Sequence, residues 1–225
     1  MVRDTIFISN SVSLTPTLWL SADKNVTLNG SNVSAWGDRS GNGYNATQAT
    51  SGNQPLYVPN ALNGKPVINF NATNSQLFNL VDFTAQKNQS IFSVYRKTVP
   101  TLFLLPLGSS TNANNYILYS YSDDSLLYRV DSPGLELFAS TNIDTTTIQS
   151  LSIINNNNVT SLYKNGIIQL TQTQTDMTAI FNAIGYGHGH YSSGDIAEIL
   201  VYNSALSDTE RKVIENYLKN KYNLY

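Results

Sequence analysis

One acidic side chain stands in an otherwise apolar segment near the C-terminus. Glu198 lies in Gly194–Asn203 (GDIAEILVYN), a glycine-bounded run that predicts a β-strand. With the two-residue period of a strand, Ile196 and Leu200 share a face with Glu198. A carboxylate among such neighbours is costly unless it is paired or ligated. One hypothesis is therefore that Glu198 accepts hydrogen bonds from the segment Trp36–Gly43 and pins it to the sheet, and the other is that it binds a cation.

Two histidines, His188 and His190, lie in the glycine-rich segment Gly185–Gly194 (GYGHGHYSSG). Alternate residues of a strand point to one face, and two imidazoles could hold a transition metal there if a third ligand were present. The chain has no cysteine and no other histidine, so a zinc enzyme is not expected. We predict instead that Tyr186, His188, His190 and Tyr191 line a ligand-binding surface, because interleaved glycines allow close approach. A plain strand connection is the open alternative.

A second aromatic stretch, Tyr116–Tyr128, carries tyrosines at both odd and even positions. Some of these rings must therefore face solvent or a partner. Exposed tyrosines beside acids suit carbohydrate, so Tyr119, Tyr121, Asp123 and Asp124 are predicted to contact a ligand. The alternative is that half of the tyrosines are core and half are ordinary sandwich surface.

The elements that must position these residues are almost all strands. Short segments of apolar and polar alternation recur along the chain, and Asn165-Gly166 predicts a type I′ hairpin turn. The four asparagines Asn155–Asn158 predict a loop. This pattern favours an all-β, two-sheet antiparallel β-sandwich of the jelly-roll type, in one domain that spans residues 1–225.

One helix is expected, at the C-terminus. Ser207 and Glu210 form a capping box, in which each side chain satisfies a backbone N–H at the other's position. Val213, Ile214, Tyr217 and Leu218 then fall on one helical face.

Motifs in a fixed order along nearly the whole chain carry a family resemblance. They are Trp19 in TLWLSAD, the loop WGDRSGNG from Trp36, the strand NGKPVINF, the hairpin LYKNG, and the ending GDIAEILVYN with SALSDTERKVIENYL. Together they resemble the laminin-G-like branch of the concanavalin A-like lectin/glucanase superfamily. The resemblance implies the concanavalin A-like sandwich but no single activity, because this fold hosts lectins, adhesion modules, glycosidases and spacers.

The enzymatic branch of that superfamily carries two catalytic glutamates in the strand pattern E-x-D-x-x-E. Here Ser193 stands in place of the nucleophile, while Asp195 and Glu198 match the other two acids. Double displacement needs two carboxylates. We therefore predict that the chain is not an enzyme, and keep as an alternative a glycoside hydrolase with a displaced nucleophile.

The resemblance also implies a calcium ion as the one candidate cofactor. Relatives in the laminin-G and pentraxin-like group bind Ca²⁺ through loop carboxylates and carbonyls, which are the hard oxygen ligands that this ion requires. The positions that could contribute here are Asp38, Asn42 and Asp195, with or without Glu198.

Composition narrows the partners. Only 12% of the residues are charged and the net charge is −2, so nucleic acid is not an expected partner. No run approaches the length of a membrane span, and the first twenty residues lack the apolar core of a signal peptide. An uncharged, asparagine-rich surface suits neutral sugars.

The leading hypothesis is a carbohydrate-binding or surface-adhesion module. No leader peptide is visible, and the composition, rich in Asn and Tyr and free of Cys, is typical of an AT-rich microbial or viral genome. These two features suggest a virion component, such as a phage tail, fibre or capsid-decorating protein that recognises host glycans. The expected location is the virion surface or the extracellular space, with other virion proteins or further copies of the chain as added partners. The rival hypothesis is a structural or assembly protein that uses the sandwich as a protein–protein building block.

Overall fold

The computed structural model describes residues 6–7, 13–84, 86–99, 104–112, 116–119, 125–129, 136–140, 147–173 and 180–225. These residues form 21 strands, two short 3-10 turns (Ser51–Asn53 and Ala72–Asn74) and the helix α1 (Asp208–Tyr222). In chain order the strands are β1 (Ile6–Phe7), β2 (Ser13–Leu14), β3 (Leu18–Ser21), β4 (Val26–Asn29), β5 (Asn32–Trp36), β6 (Ala46–Thr47), β7 (Leu56–Leu62), β8 (Lys65–Phe70), β9 (Phe78–Thr84), β10 (Gln89–Lys97), β11 (Leu104–Gly108), β12 (Tyr116–Tyr119), β13 (Ser125–Arg129), β14 (Glu136–Ser140), β15 (Gln149–Asn156), β16 (Val159–Lys164), β17 (Ile167–Thr173), β18 (Ile180–Ile184), β19 (Tyr186–Gly187), β20 (His190–Tyr191) and β21 (Gly194–Tyr202).

Seventeen strands form one curled antiparallel sheet that folds into two layers. The layer on which α1 packs, here called the helix-side layer, has the strand order β17-β16-β15-β10-β21. Strand β21 then pairs with both β3 and β8, and β7 lies beyond β8. The opposite layer runs β4-β5-β6-β9-β18-β11-β12-β13-β14. The pair Asn32–Leu56 joins the layers at one side. The predicted two-sheet antiparallel β-sandwich is therefore confirmed.

Two hydrophobic clusters hold the layers and the helix together. Between the layers lie large buried side chains that include Trp36, Phe70 and Phe78. The second cluster lies on the outer face of the helix-side layer, where Ile214 and Leu218 of α1 pack with residues of β3, β10 and β21. Burial of these apolar surfaces is the main favourable contribution to folding.

The helix begins as its sequence predicts. Ser207 Oγ accepts from the backbone N–H of Glu210, and Glu210 Oε2 accepts from the backbone N–H of Ser207 at 2.8 Å. The helix ends at Asn223, whose φ of 51° is a left-handed cap. The predicted capping box is therefore confirmed.

Within the described residues, no helix is both long enough and apolar enough to cross a membrane.

The predicted turn at Asn165-Gly166 is confirmed, whereas the predicted loop at Asn155–Asn158 is wrong in its length. Asn165 and Gly166 have φ angles of 52° and 75° between β16 and β17, as a type I′ turn requires. The four-asparagine loop is shorter than expected, because Asn155 and Asn156 are the last residues of β15. Asn155 is fully buried, and its Oδ1 accepts from the Thr160 hydroxyl at 2.9 Å, so an asparagine-rich sequence can continue a strand when tertiary contacts satisfy the amide.

A β-bulge in β21 changes which side chains face the helix. Val94 pairs with Glu198 and Tyr95 pairs with Ile196, so Ala197 is an extra residue on its strand. The bulge shifts the alternation by one residue. Ile196 therefore packs between the layers, while Glu198 lies on the helix side, and the prediction that these two side chains share a face is wrong.

Candidate functional site

The segment with the two histidines forms a small hairpin that connects β18 of the opposite layer to β21 of the helix-side layer. Tyr186 pairs with Tyr191, and Gly187 pairs with His190, across β19 and β20. The turn consists of His188 and Gly189, with φ angles of 52° and 76°. The histidines are therefore a turn residue and a strand residue, not alternate positions of one strand.

The hairpin presents two pairs of rings. The ring centroids of Tyr186 and Tyr191 lie 4.8 Å apart at an interplanar angle of 55°, and those of His188 and His190 lie 6.0 Å apart at 41°. Both tyrosines are half-buried and both histidines are exposed. The four residues predicted from this segment are thus brought together, as an aromatic surface that also carries hydroxyl and imidazole groups.

Burial, and secondarily the neighbouring His188, lowers the pKa of His190 below its usual 6.5. A lowered pKa leaves the His190 imidazole neutral at pH 7. The hairpin therefore offers the neutral imidazole of His190 beside its two tyrosines.

Two glycines let the base of the hairpin pack closely. A Cβ on Gly108 would lie 2.1 Å from the Tyr186 carbonyl oxygen, so β11 can approach β19 only with glycine at this position. Gly185 has a φ of 81°, and a Cβ there would lie 2.4 Å from the Phe70 ring. The Ser192 N–H donates to the Gly185 carbonyl at 2.8 Å and closes the base.

Three buried glutamines fix the loops beside the hairpin. Gln76 Nε2 donates to the Gln54 carbonyl at 2.9 Å, and Gln54 Nε2 donates to the Gln48 carbonyl at 2.7 Å. The backbone N–H of Asn71 donates to Gln76 Oε1 at 2.8 Å, which holds the 3-10 turn that β20 contacts. The sequence analysis missed these residues, because a lone glutamine outside a motif gives no signal that it will be buried.

Glu198 is fully buried beneath α1, where it accepts hydrogen bonds from four donors. Trp19 Nε1 lies 2.6 Å away, the Tyr217 hydroxyl 2.9 Å and the Tyr222 hydroxyl 2.7 Å. The fourth donor is Lys221 Nζ, at 2.8 Å. Glu198 is therefore paired, as its burial requires, but its donors come from β3 and α1 instead of the Trp36–Gly43 segment.

The same lysine extends the network to the surface. Lys221 Nζ also donates to Asp23 Oδ1 at 3.0 Å and to Ser21 Oγ at 2.7 Å. Burial acts to raise the pKa of Asp23, but the hydrogen bond from Ser21 and the charge of Lys221 outweigh it, and the pKa of Asp23 falls below its usual value. The network ties the C-terminal helix to the first strand of the large sheet.

Asp38 organises its own loop. Its Oδ1 accepts from the backbone N–H groups of Trp19 and Ser40 at 3.0 and 2.9 Å. Its Oδ2 accepts from the Ser40 hydroxyl at 2.7 Å and from the backbone N–H of Tyr44 at 3.0 Å. Asn42 Nδ2 donates to the Thr17 carbonyl at 2.8 Å. Both residues thus hold the loop against β3.

The structure does not gather the four predicted calcium ligands into one group. Asp195 is paired with Arg96 at 2.6 Å and with Asn69 at 2.7 Å, while Asp38 and Glu198 accept from the donors described above. Within the described residues, no three His, Asp or Glu side chains are grouped so that they could hold a metal ion. In this arrangement the predicted ligands do not fit Ca²⁺, which needs six to eight oxygens around one point, and calcium binding remains a prediction from resemblance.

The acids that match the glucanase pattern do not face an open cleft. Asp195 is 2% exposed and Glu198 is fully buried. Ser193, which occupies the nucleophile position, accepts a hydrogen bond from the backbone N–H of Ala72 at 3.1 Å. A glycosidic bond could not reach Glu198 without rearrangement of α1, whose Tyr217, Lys221 and Tyr222 cover it.

The other predicted ligand-binding stretch is described only in part. Tyr119 is the last residue of β12, and its backbone pairs with Leu104 and Leu126. Tyr121, Asp123 and Asp124 lie outside the described residues. The two strands that flank these residues, β12 and β13, are antiparallel neighbours.

No protein-family model matches the sequence, and no curated protein matches it with significance. Solved structures do resemble the fold. Domain 4 of AbnA, a GH43 extracellular arabinanase from Geobacillus stearothermophilus solved with arabinotriose, has a TM-score of 0.65 at 16% identity, over 87% of this chain and 96% of that domain. The receptor-binding domain of botulinum neurotoxin type G has a TM-score of 0.61 at 15% identity, over 91% of this chain and 52% of its own.

The ligand-binding domain of botulinum neurotoxin serotype D, solved with N-acetylneuraminic acid, has a TM-score of 0.60 at 15% identity, over 90% of this chain and 51% of its own. This chain therefore spans about half the length of the two toxin domains. At such identities the comparisons establish architecture alone. The chain has the jelly-roll β-sandwich fold.

Proposed function

We propose that this chain is a non-enzymatic carbohydrate-binding module that recognises a glycan or a glycosylated surface through the hairpin Tyr186–Tyr191. The observation that carries the proposal is that one hairpin brings together two half-buried tyrosine rings and two exposed histidine rings. Sugar rings pack their C–H faces on aromatic rings, while hydroxyl and imidazole groups hydrogen-bond to the sugar hydroxyls.

The fold supports this proposal. Two solved structures of the same architecture hold arabinotriose and N-acetylneuraminic acid. The hairpin's base is fixed by Gly108 and by the loops that the buried glutamines hold. A fixed surface loses little entropy when it binds a ligand.

The biological setting is a further proposal, which comes from the composition of the sequence. We place the module on a virion surface or in the extracellular space, where it attaches to host glycans. Genes for virion structural proteins beside the gene for this chain would support that setting. A gene within a metabolic operon would argue against it.

An assembly role is the second candidate, and exposed apolar side chains on β17 favour it. Ile167 is 67% exposed and Ile168 is 54% exposed. If these residues pack against a partner copy, the chain will form stable oligomers whose dissociation constant rises at least tenfold in Ile168→Lys. A monomer at high concentration, measured by analytical ultracentrifugation, would remove this candidate.

A glycan array of the purified chain tests the main proposal. We expect reproducible binding to a subset of glycans, and loss of about fivefold in affinity in Tyr191→Leu, because one aromatic contact contributes about 1 kcal/mol. Tyr57→Leu, a half-buried tyrosine on β7, is the matched control and should bind as the wild type does.

Two further readouts separate the alternatives. An array repeated in EDTA tests calcium, since loss of binding there would place a metal at or beneath the glycan site. Release of reducing sugar that is lost in Glu198→Gln would support the displaced-nucleophile hydrolase instead. No binding by the wild type to any glycan would reject the proposal.

A further inference from the structure

A cavity of about 530 Å³ lies far from the hairpin, between the β15–β16 turn and the start of α1. Gly194, next to the hairpin, pairs with Lys97 at one end of β10, whereas Asn155 pairs with Gln89 at the other end. The cavity therefore opens at the opposite end of the sandwich from the hairpin. We propose that it is a second binding site, for a neutral oligosaccharide. The ligand class rests on the proposed function as well as on the chemistry of the cavity.

The floor of the cavity contains a stacked arginine and tyrosine. The Arg211 guanidinium carbon lies 3.9 Å from the centre of the Tyr163 ring. Arg211 is 4% exposed, with Nη1 donating to Glu215 Oε2 at 2.5 Å and Nη2 donating to Asp208. Its Nε is buried without a hydrogen-bond partner. The floor thus contains an aromatic ring that is held in place by a cation.

One wall of the cavity is rich in amides. Asn156, Asn157 and Asn158 line it at the β15–β16 turn, and all three are exposed. Asn157 has a φ of 54°, and its backbone N–H donates to Asn88 Oδ1 at 2.9 Å, which fixes the turn. Each asparagine side chain both donates and accepts, so this wall can match the mixed donors and acceptors of sugar hydroxyls.

Apolar side chains complete the lining. Ile154, Val159 and Leu206 border the amides, and Val159 is 40% exposed. Alternating apolar and amide surface suits a sugar, whose ring has C–H faces and hydroxyl edges. The volume falls within the roughly 300–1,000 Å³ of small-molecule clefts.

The charges near the cavity argue for a neutral ligand. Glu215 and Asp208 both pair with Arg211, and Asp208 also pairs with Lys212 at 2.6 Å. An anionic ligand would meet a guanidinium that already has two carboxylate partners, and a cation would meet carboxylates that are already paired. A neutral polyhydroxylated ligand requires no unpaired charge.

Two sites at opposite ends would make one copy of the chain bivalent. A bivalent module can hold two glycan chains, or two positions on one dense glycan surface, and its avidity exceeds the affinity of either site.

Val159→Trp tests the inference, because the larger ring would fill the cavity from an already exposed strand position. The matched control is Val81→Trp, since Val81 is a 61% exposed strand residue of the opposite layer and does not line the cavity. Wild type, both tryptophan variants and Tyr191→Leu are compared on the same array of neutral and acidic glycans. Thermal unfolding of each variant shows that it is folded, and Asn158→Ala is a second, milder variant of the cavity.

We expect Tyr191→Leu to keep binding to neutral glycans that Val159→Trp binds at least tenfold more weakly, while Val81→Trp behaves as the wild type. Asn158→Ala should weaken the binding of the same glycans. The NMR resonance of the Arg211 Nε–H should shift when these glycans are added. An array pattern of Val159→Trp identical to the wild type would overturn the second site while leaving the hairpin proposal standing. If Tyr191→Leu binds every glycan as the wild type does, and Val159→Trp loses binding, the hairpin site is rejected and the cavity site is kept.

Discussion

At the scale of single residues, the buried acid Glu198 is held by four hydrogen-bond donors. A carboxylate with no exposure accepts hydrogen bonds from one indole, two phenols and one ammonium. Two of these donors also contact each other, since Trp19 packs edge-on against Tyr217 with ring centroids 6.1 Å apart. The acid therefore organises the interface between α1 and the sheet, a role that requires its charge and its fixed position.

Glu198→Gln should destabilise the fold by about 3 kcal/mol, because it leaves Lys221 beside a neutral amide and replaces one acceptor oxygen with a donor. The expected readout is a lower midpoint of urea unfolding with an unchanged slope. Lys212→Gln is the control, because it removes an exposed pair with Asp208 and should change stability by less than about 1 kcal/mol. Equal effects of the two variants would contradict the role given to Glu198.

At the scale of elements, features that depend on neighbouring residues can be predicted from the sequence, whereas features that depend on strand pairing cannot. The capping box that begins α1 involves residues three positions apart, and it forms as the sequence predicts. The bulge at Ala197 depends on how β21 pairs with β10, and it reverses the side on which Ile196 lies. A strand's alternation is therefore informative only as far as its pairing is regular.

Ser207→Ala should cost about 1 kcal/mol of stability, since it removes the acceptor for the Glu210 backbone N–H. Ser204→Ala, in the same exposed connection, is the control and should be close to neutral. Urea unfolding followed by circular dichroism measures both variants. A neutral effect of Ser207→Ala would mean that tertiary contacts alone hold the first turn of the helix.

Gly108→Ala should displace the hairpin, because the added Cβ would lie 2.1 Å from the Tyr186 carbonyl oxygen. We expect a loss of about 2 kcal/mol in stability together with weaker glycan binding. Gly52→Ala is the matched control, since a Cβ there has no atom within 4 Å. If Gly108→Ala keeps the stability and the glycan binding of the wild type, neither depends on the close contact between Gly108 and Tyr186.

At the scale of the whole molecule, α1 seals one face of the sandwich with buried phenols. Burial first, and the negative charge of Glu198 second, raise the pKa values of Tyr202, Tyr217 and Tyr222 well above 10. A raised pKa means that the folded state keeps a proton that the unfolded state releases near pH 10. The folded state therefore keeps its full stability with respect to these phenols below pH 10, and its stability declines as the pH rises above that value.

We therefore expect the free energy of unfolding to fall above about pH 10, by up to about 1.4 kcal/mol per pH unit for each of the three tyrosines. Urea unfolding at a series of alkaline pH values measures the slope, and phenolate absorbance reports how many tyrosines titrate in the folded chain. Tyr222→Phe should make this slope shallower by up to about 1.4 kcal/mol per pH unit, the contribution of one proton. An unchanged slope in Tyr222→Phe would show that this phenol does not control alkaline stability.

The sequence by itself determined the sandwich, the terminal helix, its cap and the Asn165-Gly166 turn, because these depend on periodicity and on contacts within a few residues. It also singled out the residues of the hairpin. Only the tertiary structure decided the partners of Glu198, one of which lies 179 positions away in the chain. It likewise decided the burial of Asn155, the close approach of Gly108 to Tyr186 and the cavity beside Arg211. The physical reason is that strand register and layer packing bring distant residues together, and no local pattern encodes that pairing.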